Sequence, residues 1–195
     1  MINFILQLDL QATQFINELM PHNQFFNLFF SFFSFKGSAL IIWIIVIIGV
    51  IIIEEIQHPG IQKRDIKFVI IFLLSFFITY VVSDVVFKNI IQRPRPAFIK
   101  TSAGKPIPTN SCPKDFSFPS THAATAFAAA VVLTFFDKKR RWFYYLVAIL
   151  ISFSRIYLQC HYFFDVIGGG IIGYLISNII LLQTALYTSP SRRKS

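Results

Sequence analysis

The chain has 195 residues, of which 55% are hydrophobic and only 14% charged, and its mean hydropathy is +0.63. A soluble domain carries about a quarter charged residues, so this composition excludes an ordinary water-soluble globule and leaves an integral membrane protein. The net charge of +9 does not make a nucleic-acid binder, because the basic residues gather at the ends of apolar runs and no basic recognition helix or motif accompanies them.

Residues 1–36 read as an N-terminal interfacial segment. Phe4, Ile5, Leu8, Phe15, Ile16 and Leu19 recur at helical spacing, interrupted by Asp9, Asn17 and Glu18, and Pro21 ends the first helix. The run 25–35 is apolar but too short to span a bilayer. No basic start with a small-residue cleavage site marks a cleavable signal peptide. Membrane spans are then expected near 37–56, 68–87, 120–136, 142–158 and 165–187, within a transmembrane domain of 37–187 followed by a basic tail, 188–195. The alanine-rich middle of the third span and Gly168, Gly169, Gly170 and Gly173 of the fifth allow close helix packing. The expected fold class is all-α: a polytopic membrane helix bundle of about five transmembrane helices plus N-terminal interfacial helices.

Charge sets the orientation. The basic connections 57–67 and 137–141 and the tail fall on one side, which the positive-inside rule makes cytoplasmic, with the N-terminus outside. Lys88 and Arg95, Ser120 and His122, Arg155, and finally His161 and Asp165 then all lie at span ends on the opposite, outer side. Ionisable groups at that depth are expensive, which points to a shared function.

Three cations around two histidines describe a pocket for a dense anion, since the arginine fork suits phosphate oxygens and lysine adds a point charge. Ser120 precedes an apolar helical run and suits an N-cap, which leaves backbone N–H groups of Thr121 and His122 for phosphate. No metal is expected, because the arginines would repel a cation held by two histidines and an aspartate. The two histidines suit two jobs in phosphoryl transfer. His161, with Asp165 one turn away, is the better nucleophile, and His122 the better acid and base. Asp84 reads as a partner of Lys88, four residues on, and Arg93 as a headgroup contact or a solvated charge. His22 and His58 are remote from the site. Cys112 and Cys160 fall on the outer side, either as a disulfide pinning the 88–117 loop or as two free thiols.

KNIIQRPRP (88–96) fits K-x6-R-P, FPSTH (118–122) is close to P-S-G-H, and SRIYLQCHYFFD (154–165) fits S-R-x5-H-x3-D. In this order they resemble the signature of the type 2 phosphatidic acid phosphatase (PAP2) superfamily, which includes vanadium haloperoxidases. The resemblance implies a lipid phosphatase that needs neither metal nor cofactor and works through a phosphohistidine. His161 would be the nucleophile, Asp165 its orienting partner and His122 the proton donor, with Lys88, Arg95, Ser120, Thr121 and Arg155 holding phosphate. Thr121 stands where the pattern has glycine, which keeps the amide but narrows the approach. The expected partners are the bilayer and a lipid phosphate in it: undecaprenyl pyrophosphate, phosphatidylglycerophosphate, phosphatidic acid or lipid A 1-phosphate. The expected location is a bacterial inner membrane, with the site facing the periplasm or exterior. Two alternatives share the pocket: a phosphotransferase with a lipid acceptor, and a non-catalytic phospholipid-binding or transport protein. A haloperoxidase is disfavoured, since that chemistry does not need a membrane-embedded chain.

Overall fold

Long uncharged runs that leave water must bond their own backbones, and a helix does so within one segment. The computed structural model describes residues 2–34, 37–57, 60, 63–96 and 112–188, and among them every regular element is helical. In order these are α1 (Ile2–Leu19), α2 (Gln24–Ser34), α3 (Ser38–Gln57), α4 (Lys63–Tyr80), α5 (Lys88–Ile91), α6 (Thr121–Phe136), α7 (Arg141–Tyr157) and α8 (Phe163–Thr188). A π-helical stretch, Val81–Phe87, joins α4 to α5 in one 29-residue run, and a 3-10 turn, Lys138–Arg140, joins α6 to α7. The second expected span therefore extends beyond both of its expected ends. His58, much of the 88–117 loop and nearly all of the tail lie outside the described residues.

Helix α6 is the centre, packed against α4, α7 and α8. Its small side chains make this possible: Ala123, Ala124, Ala126, Ala128, Ala129 and Ala130 are all buried. Opposite them α8 offers glycine. A Cβ on Gly169 would lie 2.4 Å from the Ser120 carbonyl oxygen, and one on Gly173 would lie 2.0 Å from that of Ala124. The glycines thus serve helix packing, as their place inside an apolar run suggests.

The outer faces are apolar as well. Ile44, Ile45, Ile48 and Ile52 of α3, Ile70 and Phe77 of α4, and Ile179 and Leu182 of α8 are exposed. So extensive an apolar surface is foreign to a soluble monomer. Among the described residues two helices, Lys63–Ile91 and Phe163–Thr184, have the length and composition to cross a membrane, while Leu40–Ile53 and Thr121–Phe136 are apolar but shorter. Helices α6 and α7, at 16 and 17 residues, are about 24–26 Å long against a hydrocarbon core of about 30 Å.

Helix α1 is polar on its inner face and apolar on its outer one. Asp9, Thr13 and Asn17, spaced four apart, are buried, whereas Phe4, Phe15 and Leu19 are more than half exposed. The polar residues that read as interruptions of an amphipathic surface helix are thus its docking face. The reason is the start of α8, whose first N–H groups have no partner within their own helix. Phe163 N–H donates to Thr13 Oγ1 (2.9 Å) and Phe164 N–H to Asp9 Oδ1 (2.8 Å), so α1 caps α8 from outside.

Candidate active site

Four helix ends meet at one place. The α4–α5 run delivers Lys88, four residues after Asp84, as the i,i+4 spacing allows. Lys88 Nζ donates to Asp84 Oδ1 (2.5 Å) and to Asp115 Oδ2. The π-helical stretch that carries Asp84 is a feature often found at functional sites. Helix α5 stops at Gln92, whose φ is +50°, and Pro94 and Pro96 then restrict the backbone of both preceding arginines. Arg95 Nη1 donates to the Cys160 carbonyl (2.6 Å), Nε to the Asp115 carbonyl (3.0 Å) and Nη2 to the Asp115 carboxylate.

Ser120 caps α6 from an extended backbone, its Oγ accepting from Ala123 N–H at 3.4 Å. Ser120 N–H donates to the Asp165 carbonyl (3.0 Å), tying the start of α6 to the start of α8. Thr121 Oγ1 donates to Asp84 Oδ1 (2.8 Å), and His122 lies within electrostatic reach of Arg155, His161, Lys88 and Arg95.

After α7 the chain turns sharply at Gln159 (φ +55°), and the N–H groups of Cys160 and His161 both donate to the Arg155 carbonyl (3.0 and 3.2 Å). This turn places His161 beside Arg95, with Arg95 Nη1 2.9 Å from His161 Nε2. A guanidinium only donates, so Nε2 carries the lone pair and Nδ1 the proton. Nδ1 faces Asp165 Oδ2 at 3.6 Å. Burial first, then the charges of Arg155, Arg95 and Lys88, hold the His161 imidazole well below its ordinary pKa, so it is neutral at pH 7. Arg155 is fully buried. Its Nη1 donates to the carbonyl (3.0 Å) and hydroxyl of Ser34, at the end of α2, while Nε and Nη2 have no hydrogen-bond partner among the described residues. Cys112 and Cys160 are joined in a disulfide, Cα–Cα 5.3 Å, which pins the 112–117 segment beside His161. A cavity of about 990 Å³ opens from here, lined by Lys88, Arg95, Lys114, Asp115, Leu158 and Gln159 among others.

The site residues named from the sequence therefore gather at one end of the bundle. Asp84 pairs with Lys88 as expected. The reading of Arg93 as a solvated charge or headgroup contact is overturned. Its Nη1 donates to Asp165 Oδ1 (2.7 Å), its Nη2 to Asp9 Oδ2 (2.6 Å), and its guanidinium lies 4.0 Å from the Tyr162 ring centre. Sequence reasoning also passed over Asp115. Burial raises its pKa, but hydrogen bonds from Lys88 and Arg95 and their charges outweigh that and hold it down to about 2. An acidic residue just ahead of the P-S-T-H motif was the available signal. Among the described residues no three of His, Cys, Asp and Glu gather in a way that would hold a metal.

An undecaprenyl-diphosphatase from Sulfolobus acidocaldarius is 33% identical over 118 residues, covering 59% of this chain and 54% of that protein; the chain spans about half the length of this curated relative. The crystal structure of Aquifex aeolicus LpxE superposes with a TM-score of 0.63 at 25% identity, over 90% of this chain and 95% of that one. That of the first transmembrane PAP2 type phosphatidylglycerolphosphate phosphatase from Bacillus subtilis gives 0.53 at 20% identity, over 93% and 88%, a likeness of fold. The PAP2 superfamily profile matches residues 68–188, which carry all three motifs and every helix end of the site; the chain belongs to the PAP2 superfamily.

Proposed function

We propose that the chain is a lipid phosphatase that removes a phosphomonoester or pyrophosphate group from a membrane lipid through a phosphohistidine at His161. One observation carries the reading: a neutral imidazole presents Nε2 among guanidinium groups, two of whose buried nitrogens, Nε and Nη2 of Arg155, have no partner among the described residues. A phosphoryl group is what such a set of donors complements. Nε2 attacks phosphorus as the P–O bond to the leaving group breaks, and His122 gives its proton to the departing oxygen. Lys88, Arg95, Arg155, Ser120 and the Thr121 N–H hold the equatorial oxygens while charge builds. His122 then takes a proton from water, which attacks phosphorus and breaks the N–P bond, returning inorganic phosphate and free His161. Asp165 keeps the proton on Nδ1 and balances the charge of the phosphorylated ring.

The membrane arrangement follows from the same site. Five spans, with residues 37–187 as the catalytic domain and the N-terminus outside, put every site residue at the outer boundary. The brevity of α6 and α7 then has a reason, since their outer ends stop at a polar pocket rather than at the bilayer surface. The Cys112–Cys160 disulfide supports an oxidising side. An apolar groove of about 450 Å³, lined by Phe127, Ile149, Ile156, Val166 and Leu175 among others, offers hydrocarbon a track near Arg155 and Asp165.

The test is phosphate release by the purified protein from a panel of lipid phosphates, each supplied alone. Release from a single lipid is expected, because water is the acceptor, together with inhibition by vanadate and an unchanged rate in EDTA, because the cations supply the charge stabilisation. Complete EDTA inhibition restored by a divalent ion would overturn the mechanism. A second expectation concerns Asp115, whose carboxylate bridges Lys88 and Arg95 where the reading places phosphate oxygens. Asp115→Asn should tighten inhibition by inorganic phosphate and vanadate by about two- to fivefold, the scale of a partly exposed ion pair. Weaker inhibition in this variant would make Asp115 an organiser of the two cations rather than a competitor for them.

A further inference from the structure

The fork of Arg93 connects two carboxylates from opposite ends of the chain, and one of them is Asp165. We infer that Arg93 and Asp9 are positioning residues for the His161–Asp165 pair, and that α1 is thereby part of the reaction apparatus; the inference rests on the phosphohistidine reading above.

The geometry is a relay of two ion pairs and one close approach to the neutral imidazole. Asp9 Oδ2 accepts from Arg93 Nη2 at 2.6 Å, Asp165 Oδ1 accepts from Arg93 Nη1 at 2.7 Å, and Asp165 Oδ2 faces His161 Nδ1 at 3.6 Å. Each guanidinium nitrogen has its own carboxylate, so the plane of Arg93 fixes the plane of Asp165 and leaves the other oxygen for the histidine. Tyr162 N–H, donating to Oδ2 at 2.9 Å, completes the clamp. Asp165 is 0% exposed and Asp9 1%, so neither carboxylate is softened by water. Arg93 cannot wander either: Pro94 restricts its backbone and the Tyr162 ring covers its guanidinium.

Charge counting explains why Asp9 is needed. Arg93 alone would neutralise Asp165 and leave His161 no net negative charge behind it. With Asp9 included, the trio carries one negative charge, which matches the positive charge that the imidazole ring gains when Nε2 bonds to phosphorus. Asp9 is held for this by α1, through Thr13 Oγ1 donating to the Asp9 carbonyl (2.7 Å) and through the cap on Phe164 N–H. None of these groups faces the 990 Å³ cavity, and none belongs to the proposed phosphate ligands. A loss here should therefore appear in turnover and not in binding.

The experiment uses full-length Asp9→Asn, Arg93→Ala, Arg93→Lys and the Asp9→Asn/Arg93→Ala double variant. It measures kcat, KM for a lipid phosphate and the vanadate inhibition constant. Asparagine keeps an oxygen for the Phe164 N–H, so Asp9→Asn preserves the cap while removing the charge. The expected result is a fall in kcat of about 10- to 100-fold with KM and vanadate inhibition unchanged, the usual scale for groups that orient a reacting side chain. Arg93→Lys should recover part of the Arg93→Ala loss. The double variant should be no slower than Arg93→Ala, because Asp9 acts through Arg93. An unaltered kcat in Asp9→Asn would overturn the inference. So would loss of vanadate inhibition along with kcat in any variant, including one that fails to fold, since that marks a purely structural role. Wild-type protein that neither releases phosphate nor responds to vanadate would instead defeat the proposed function.

Discussion

Replacing His161 by alanine should abolish turnover. The imidazole Nε2 sits 2.9 Å from Arg95 Nη1 with its lone pair turned to that cation, and its buried surroundings keep the lone pair free of a proton at pH 7. Loss of a nucleophile that acts as a unit with its partners costs about 10⁴- to 10⁶-fold in kcat, and the remaining groups do not substitute for it. Rapid quenching should show an acid-labile phosphoenzyme in the wild type and none in the variant. Vanadate-independent function surviving His161→Ala would favour the non-catalytic lipid-binding alternative, and substantial residual hydrolysis would remove the covalent step.

The second large effect lies away from the chemistry. Gly173→Ala should lower both stability and activity, because its new Cβ would meet the Ala124 carbonyl oxygen at 2.0 Å and the carbonyl carbon at 2.8 Å. These are backbone atoms in the first turn of α6, so no side-chain rotation relieves the contact and the two helices must part. Overpacking of this kind costs about 1–3 kcal/mol, and collision with backbone places it at the upper end. Helix α6 carries Ser120 and His122 while α8 carries Asp165. A displacement of about 1 Å between reacting groups can cost about 10²-fold in rate. Thermal denaturation in detergent and phosphate release measure the two effects. Gly49→Ala is the control, since no atom of the described residues lies within 4 Å of the added atom; equal damage from both substitutions would mean that the α6–α8 approach is not what sets the site.

The three motifs and the order of helices were legible because each rests on local chemistry. Lys88 and Arg95, Ser120 and His122, and Arg155, His161 and Asp165 are fixed by short spacings, and the apolar runs announce their own helices. What stayed hidden depends on long-range pairing. Asp9 and Arg93 are 84 residues apart, and no periodicity links them, so a carboxylate on an N-terminal helix read as a flaw in its apolar face. Asp115 stood in a polar loop where one more charge carries little information, until the fold put it between two cations. The disulfide was an even choice from sequence, since spacing alone does not bring two sulfurs together. Span lengths were blurred for the opposite reason: apolar composition continues through the π-helical stretch, and nothing local marks where α4 becomes α5.

The bond between Cys112 and Cys160 has a consequence for how the molecule matures. Closing it removes two electrons and two protons from the chain, so an oxidant must reach residues that flank both Asp115 and His161. In the outward-facing arrangement proposed above, synthesis and insertion would deliver every site residue, yet the pocket's rim would be fastened only after export exposes those thiols. Under that arrangement newly made copies would be completed by arrival rather than by translation, and lipid phosphates on the synthetic side of the membrane would meet only an unfinished pocket.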